Sequence, residues 1–501
     1  LDIHGEVEAS ERLQKLINIG ESLAQKYDVV VTNPPYMGSS GMGAKLSDYV
    51  KNEYPETKSD LSTVFMEKTI DMCAQSGCMA MINIPVWMFI SSYEKLRGNV
   101  IRNNTLISMV HPGRGIFGSD FGTTTFVISK KHIKGYQGAY LRLFMKQGDV
   151  ETPEVRERAF FARTGANTAC QDDFLKIPGQ PIAYWLKNLS IFDFPSLKEY
   201  IDARIGMVSG DNDRFLRMWH EVGMDNIEFS ATPGHDPMKK KWYPLQKGGD
   251  FRKWYGNASF VLNWENDGYE LKYDNYMGKR VRSHNYNGTQ QFKEGITWNS
   301  ISASKFHCRY SPVGFTHDAA GPLCEVTKHD YLWTVLGFLS TRVAEYIFSI
   351  INPTINFPSG YLESLPFSIG VDQKDEIDTL VKECVGLSKD EWDSFELSWD
   401  FQEHPFITSA RNASKRGETI TISQAFQDWQ RIAEERFQKI KENEEALNRI
   451  FIDFYGLNQE LIAEVSDSDV TVRRADIQRD YRSFISYAVG CMFGRYSLDR
   501  P

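Results

Sequence analysis

The stretch Tyr27-Asp-Val-Val-Val-Thr-Asn-Pro-Pro-Tyr36 decides how the first part of this chain is read. Asp28 to Thr32 is a short β-branched run, the composition of a strand buried on both faces. Pro34 and Pro35 lack the N–H that a sheet ladder needs, so the strand ends there and a loop begins. Asn-Pro-Pro-aromatic then falls at the carboxyl end of a strand, which is where open α/β sheets place their ligands.

The residue types point to one kind of chemistry. An amino group conjugated to an aromatic ring is a poor nucleophile, because its lone pair is delocalised. The Asn33 side-chain carbonyl can accept one amino hydrogen, and a backbone carbonyl of the loop can accept the other. Two acceptors draw the nitrogen toward tetrahedral geometry and free its lone pair for attack on a methyl donor. Pro34 and Pro35 fix φ, so the acceptors are aimed before substrate arrives. Tyr36 offers a face for an unstacked base, as base-flipping enzymes require. A plain Pro-Pro loop after a core strand is the bland alternative.

On these residues the segment resembles motif IV of the amino-methyltransferases that use S-adenosylmethionine, in the form typical of the DNA adenine-N6 branch. The same tetrapeptide serves enzymes that methylate a glutamine amide or a guanine amino group, so it names the chemistry better than the substrate. The resemblance implies S-adenosylmethionine as cofactor and a catalytic loop of Asn33, Pro34, Pro35 and Tyr36. Asn33 and Phe65 would border the cofactor, although core packing is the commoner role for a Phe on a helix. Phe117, with Phe121 as runner-up, would close on the flipped base opposite Tyr36; an aromatic packed beneath a loop is the alternative. Transfer would be direct, with no covalent enzyme intermediate and no metal.

In this branch a glycine-rich loop for the methionine end of the cofactor normally precedes the Asn-Pro-Pro-Tyr loop. No strand followed by such a loop stands before residue 33. Gly38, Gly41 and Gly43 come too late, and Met37 to Lys45 reads as a mobile loop over the substrate. The chain is therefore expected to be the carboxyl-terminal part of a longer protein, inactive without the upstream cofactor motif.

Composition narrows the class. A length of 501 residues allows two to four domains, and 41% hydrophobic with 25% charged residues is the balance of a globular protein. No apolar run approaches a membrane span, and no signal peptide is expected. The 7 cysteines are scattered without a Cys-x-x-Cys pair, which argues for a reducing, cytoplasmic setting and against structural zinc. A net charge of −9 requires that any DNA contact come from a local patch.

Alternating strand and helix patterns to about residue 150 predict a parallel, doubly wound sheet, part of a Rossmann-like α/β methyltransferase fold. The expected organisation is a catalytic part over 1–150, a bridge over 151–200, an α+β target-recognition domain over 201–366 and a helical region over 367–501. Arg204 to Arg217 resembles the Gly-x-x-x-Gly-x-Asn-x-x-Phe segment that opens the recognition region of large single-chain methyltransferases and restriction-modification enzymes. Gly206 and Gly210 permit close backbone approach, and Asn212, Arg214 and Arg217 offer donors to phosphates or base edges. A glycine turn in an unrelated β domain is the alternative.

Between His235 and Tyr310 there are 13 Lys/Arg against 7 Asp/Glu, interleaved with aromatics. Lys239, Lys240 and Lys241 precede Trp242, Arg252 and Lys253 precede Trp254, and Arg280 and Arg282 precede Tyr286. Basic residues beside aromatic platforms suit a phosphate backbone and exposed bases, whereas any one of them alone is more simply a solvated lysine. Leu332 to Ile351 reads as one apolar helix. Thr421-x-x-Gln424 is a capping box for a long helix with Phe426, Trp429, Ala433, Ile440 and Leu447 on one face.

The closing segment from Ile485 to Asp499 resembles that of the adenine methyltransferases of BREX phage-defence systems. That resemblance implies duplex DNA as substrate, other defence components as partners, and methylation that marks self DNA. A DNA-mimicking phage protein could occupy the same basic face. Two further readings are a DNA-recognition scaffold with silent methyltransferase chemistry, and a glutamine- or RNA-directed methyltransferase.

Overall fold

The computed structural model describes residues 3–116, 122–144, 150–234, 240–273, 281–286, 288, 290–302, 305–352 and 354–496. The chain divides into two compact units, Leu1–Asp193 with Ile350–Pro353, and Phe194–Ser349 with Thr354–Pro501.

In the first unit α1 (Ile3–Ala24) leads into β1 (Tyr27–Thr32). After α2 (Ala44–Glu53) and α3 (Leu61–Met72) come β2 (Cys73–Asn83), α4 (Glu94–Asn103), β3 (Thr105–Arg114) and β4 (Gly122–Ser129). β5 (Gln137–Arg142), α5 (Pro153–Phe161) and β6 (Ala166–Cys170) complete a six-stranded sheet in the order β1-β2-β4-β3-β5-β6. The sheet is mixed, and this corrects the expectation of parallel strands. β1 is parallel to β2 and β3 to β5, but β4 runs antiparallel to both β2 and β3, and β6 antiparallel to β5. The reason is length: a parallel crossover needs about a dozen residues or more, and the link between β3 and β4 is too short for one.

A second correction concerns β1. It lies at the sheet edge, with Val29 and Val31 65% and 71% exposed rather than buried on both faces. The buried side of the sheet carries Met79 and Met81 of β2 with Phe126 and Ile128 of β4. Trp87 packs its ring on Phe126 at 5.1 Å, and Leu96, Val100 and Ile101 of α4 are also buried. The alternation along β2 and β4 is what a pleated strand with one apolar face produces.

The second unit begins with β7 (Ile201–Arg204), α6 (Asn212–Phe215) and β8 (Leu216–Met218), then β9 (Trp242–Gln246), β10 (Phe260–Asn263) and α7 (Glu265–Tyr273). Four more strands follow: β11 (Gly295–Trp298), β12 (Cys308–Ser311), β13 (Thr316–His317) and β14 (Leu323–Val326). They form two four-stranded sheets, β13-β9-β10-β8 and β12-β11-β14-β7. Phe215, Leu216, Tyr243, Leu245, Leu262 and Trp264 form the core of the first of these.

The helices are α8 (Leu332–Leu339), α9 (Arg342–Ile351), α10 (Ser359–Glu363), α11 (Val371–Trp392), α12 (Pro405–Lys415), α13 (Ile422–Tyr455) and α14 (Ile477–Met492). The single helix predicted over Leu332 to Ile351 is in fact α8 and α9, bent by 76°. Thr341 makes the break: its Oγ1 donates to the Phe338 carbonyl at 2.7 Å and accepts from Ala344 N at 3.4 Å, closing one helix and capping the next. Among the described residues no single helix is long and apolar enough to cross a membrane. The capping box of α13 forms as its sequence predicts, with Thr421 N donating to Gln424 Oε1 at 2.8 Å. Trp429, Ala433, Ile440 and Leu447 on its inner face are buried.

Candidate active site and nucleic-acid interface

Register places the Asn33 loop. Thr32 pairs with Met81 across the parallel β1–β2 ladder, so the chain beyond Thr32 runs beside the end of β2. Tyr36 is then close enough for its hydroxyl to reach the Ile82 carbonyl (3.3 Å) and the Asn33 Oδ1 (3.1 Å). Asn33 is exposed, Pro34 buried, Pro35 exposed and Tyr36 half-buried. Burial pushes the Tyr36 phenol above its ordinary value, so it stays protonated and able to donate at neutral pH. A carbonyl oxygen has two lone pairs; with one facing Tyr36, the other Asn33 lone pair remains for an incoming N–H. Asn33 borders a shallow cleft of about 560 Å³ on the open side of the sheet, with Val31, Ala80, Ile82, Val110 and Thr125.

The root of the loop is fixed by Asp60, with which the stretch Asp60 to Glu67 opens a helix as its sequence suggests. Its carboxylate caps α3 by accepting from Ser62 N at 2.8 Å and Ser62 Oγ at 2.7 Å. The Met37 carbonyl accepts from Leu61 N (2.9 Å), and Ser39 N donates to the Ser59 carbonyl (3.0 Å). Instead of a loop free throughout, Met37 to Ser39 is therefore bridged to the start of α3, and α2 begins at Ala44. The signal was available as Asp60-x-Ser62 ahead of an apolar run. Phe65 on the same helix is 37% exposed, where core packing would have buried it. Phe117 and Phe121, assigned to the far side of the base, lie outside the described residues.

In the second unit the glycine segment is built for close approach. A Cβ on Gly206 would stand 2.2 Å from the Asp318 carbonyl oxygen. Gly210 has φ +72° and its Cβ would meet Arg282 Cβ at 2.6 Å. Val208 and His284 exchange backbone hydrogen bonds at 2.9 and 3.1 Å, which brings Gly206 to Arg217 together with Arg282. Asp211 caps α6, and Asn212 at its first position accepts from Ser209 Oγ at 2.5 Å. Arg214 pairs with Glu270 at 2.6 Å. Arg217 lies over the Trp242 ring at 5.8 Å, as does Lys241. Asn212, Lys241 and Arg282 are exposed; Arg214, Arg217 and Lys240 are half-buried.

Arg252 and Lys253 depart from the expected DNA-facing set. Both are buried. Arg252 donates to Glu391, which also binds Arg473 at 2.5 Å, and Lys253 donates to Glu444, which also accepts from Trp254 Nε1 at 2.7 Å. Charges turned inward and neutralised by carboxylates are not available to phosphates. Lys239 and Arg280 lie outside the described residues.

Comparison with known proteins adds a second line of observation. The family model for the Eco57I restriction-modification methylase matches residues 2–117. The chain is 40% identical over 98% of its length to the adenine-specific methyltransferase PglX of Lacticaseibacillus casei (strain Zhang). It is 32% identical over its full length to the adenine-specific methyltransferase BrxX of Escherichia coli O9:H4 (strain HS). It spans 41% of the length of each of these relatives. Among solved structures, the Type IIL restriction-modification enzyme MmeI in complex with DNA shares the fold, with a TM-score of 0.51 at 10% identity over 92% of this chain and 57% of that one.

Proposed function

From the premise that this chain is a homologue of the adenine-specific methyltransferases PglX and BrxX, we propose that it carries the base-binding loop and the DNA-reading region of a site-specific DNA adenine-N6 methyltransferase. The observation that carries the reading is the Asn33 loop itself: an exposed amide at a strand end, fixed by Tyr36, over an open cleft. In this proposal the protein marks self DNA in a BREX-type phage-defence system, together with other components of that system. A DNA-mimicking phage protein is a further partner of the same basic surface.

The target adenine leaves the duplex and lies on the Tyr36 ring. Asn33 Oδ1 accepts one N6 hydrogen on the lone pair that Tyr36 leaves free, and a backbone carbonyl of the Pro34-Pro35 loop accepts the other. The two acceptors hold N6 with its lone pair pointing out of the ring plane. S-adenosylmethionine, when bound, supplies the electrophilic methyl group. Asn33 and Phe65 fit its neighbourhood, since one is an exposed amide and the other an exposed aromatic on the helix pinned to the same loop. No carboxylate base is needed, because the proton can leave after N6 has become cationic.

Asn212, Arg214, Arg217, Lys240, Lys241 and Arg282 are the proposed DNA contacts, with Gly206 and Gly210 shaping the backbone that presents them. The test is methylation by an Asn33→Ala variant. Loss of N6-methyladenine with DNA binding retained supports the role of Asn33, and parallel loss of both counts against it.

A further inference from the structure

The loop that carries Asn33 continues into a segment held at its root. Gly38 bridges to Asp60, and Ser39 N donates to the Ser59 carbonyl at 3.0 Å. On the return side Thr57 is fully buried: its Oγ1 donates to Glu67 at 2.8 Å, and its carbonyl accepts from Thr63 Oγ1 at 2.8 Å. Both ends are thus tied to α3 and to the residues just before it. Residues 40–56 leave and rejoin the unit at neighbouring points, with α2 at their centre, and among them Val50 alone is buried.

That burial does not match the sequence of the helix. Met42, Leu46, Tyr49 and Val50 fall on one stripe at helical spacing. Val50 is 1% exposed, but Leu46 is 36% and Tyr49 56% exposed, the Tyr49 ring meeting only the edge of Tyr54 at 6.1 Å within the same segment. A short helix draws its stability from the surface its apolar stripe covers, and here most of the stripe covers nothing. The apolar cleft rimmed by Asn33 lies beside the root. It crosses β1, β2, β4 and β3, three strand spacings or about 14 Å, and the 10 residues of α2 are about 15 Å long. Gly43, the N-cap of α2, stands between root and helix at φ −64° and ψ 158°. Its N–H is not used by the helix, and Met42 before it is extended at ψ 133°, so proline fits the conformation seen and resists any departure from it.

We propose that residues 40–56 are a flap that turns at Gly43 and lays Leu46 and Tyr49 over the adenine held at Asn33, excluding water during methyl transfer. The assignment rests on the DNA methyltransferase reading above. Met37 to Ser39 stays fixed, and the moving part is α2 with its flanks. Trypsin digestion read by mass spectrometry follows the flap in the full gene product. Lys45 and Lys51, both exposed on α2, are cut in the free protein. With target duplex and S-adenosylhomocysteine bound together, cutting at both sites slows about tenfold or more.

Gly43→Pro melts at or above the wild-type temperature, because its φ already suits proline, and it binds duplex as tightly. Its protection is lost, and single-turnover methylation falls about tenfold or more. Leu46→Ala combined with Tyr49→Ala also keeps folding and duplex affinity while methylation falls. A Gly43→Pro variant that is protected and methylates like wild type overturns the proposal, since DNA would then be shielding a flap that does not move. So does a double variant whose duplex affinity falls in step with methylation, which would make α2 a plain DNA contact. A clear fall in that variant's melting temperature overturns it too, by placing both side chains against protein. A wild type that binds no duplex DNA, or transfers no methyl group to it, refutes the methyltransferase reading instead.

Discussion

Replacing Glu391 by Gln would leave the guanidinium groups of Arg252 and Arg473 facing each other without a counter-charge. Glu391 has no exposed surface, and the side chains of Arg252 and Arg473 are 9% and 31% exposed. Arg473 Nε reaches Oε1 at 2.5 Å and Arg252 takes the other oxygen. Removing one partner of a buried pair costs about 3–5 kcal/mol; Gln keeps the shape and one acceptor, so the lower end, about 3 kcal/mol, is expected at pH 7. Burial pushes the Glu391 carboxyl upward, but Arg252 and Arg473 outweigh it and hold it below the ordinary 4.5. A carboxylate depressed in the folded state contributes stability above its unfolded pKa and loses it as pH falls through the folded one. The deficit of Glu391→Gln is therefore full at pH 7 and shrinks below pH 4.5. Urea unfolding followed by tryptophan fluorescence reads both, since Arg252 lies over the Trp392 ring at 4.9 Å. Equal midpoints at pH 7, or a deficit that persists unchanged into acid, would refute the reasoning. So would an Arg252→Ala variant of normal stability whose DNA binding is less salt-dependent.

Tyr36→Phe removes the donor to Asn33 but keeps the ring; a neutral hydrogen bond is worth about 0.5–1.5 kcal/mol, so single-turnover methylation falls about two- to tenfold. Tyr36→Ala falls further, because base stacking contributes about 1–3 kcal/mol; equal losses would remove the stacking role. Gly206→Ala drives a Cβ into the Asp318 carbonyl and lowers stability by about 1–3 kcal/mol, read as a lower melting temperature, whereas an unchanged melt would deny the close approach. Lys241→Ala should reduce the salt slope of DNA binding by about 0.9 with folding intact, and an unchanged slope would place Lys241 off the phosphates.

The Asn33 loop was legible because proline is unambiguous: Pro34 and Pro35 must end a strand, and what precedes them is β-branched. Helix α13 was legible for the same kind of reason, a capping box ahead of a sustained apolar stripe. Strand direction was not, because alternation of elements does not distinguish a crossover from a hairpin; only the short link between β3 and β4 could have signalled the antiparallel β4. The exposure of β1 was hidden too, since its composition suits a central strand while its place is at the edge. Basic-aromatic interleaving failed at Arg252 and Lys253, whose partners Glu391 and Glu444 lie 139 and 191 residues further along the chain. Local composition carries no trace of such a pair.

Whether the Asn33 loop serves adenine methylation is decided by nucleoside mass spectrometry. DNA is taken from cells that lack host methylases and carry the full gene with its neighbouring defence genes, beside the same cells with Asn33→Ala. N6-methyladenine is expected in the first sample and none in the second, with both proteins folded and bound to DNA. N6-methyladenine that survives in Asn33→Ala, or that is absent from both samples, would contradict that role for the loop.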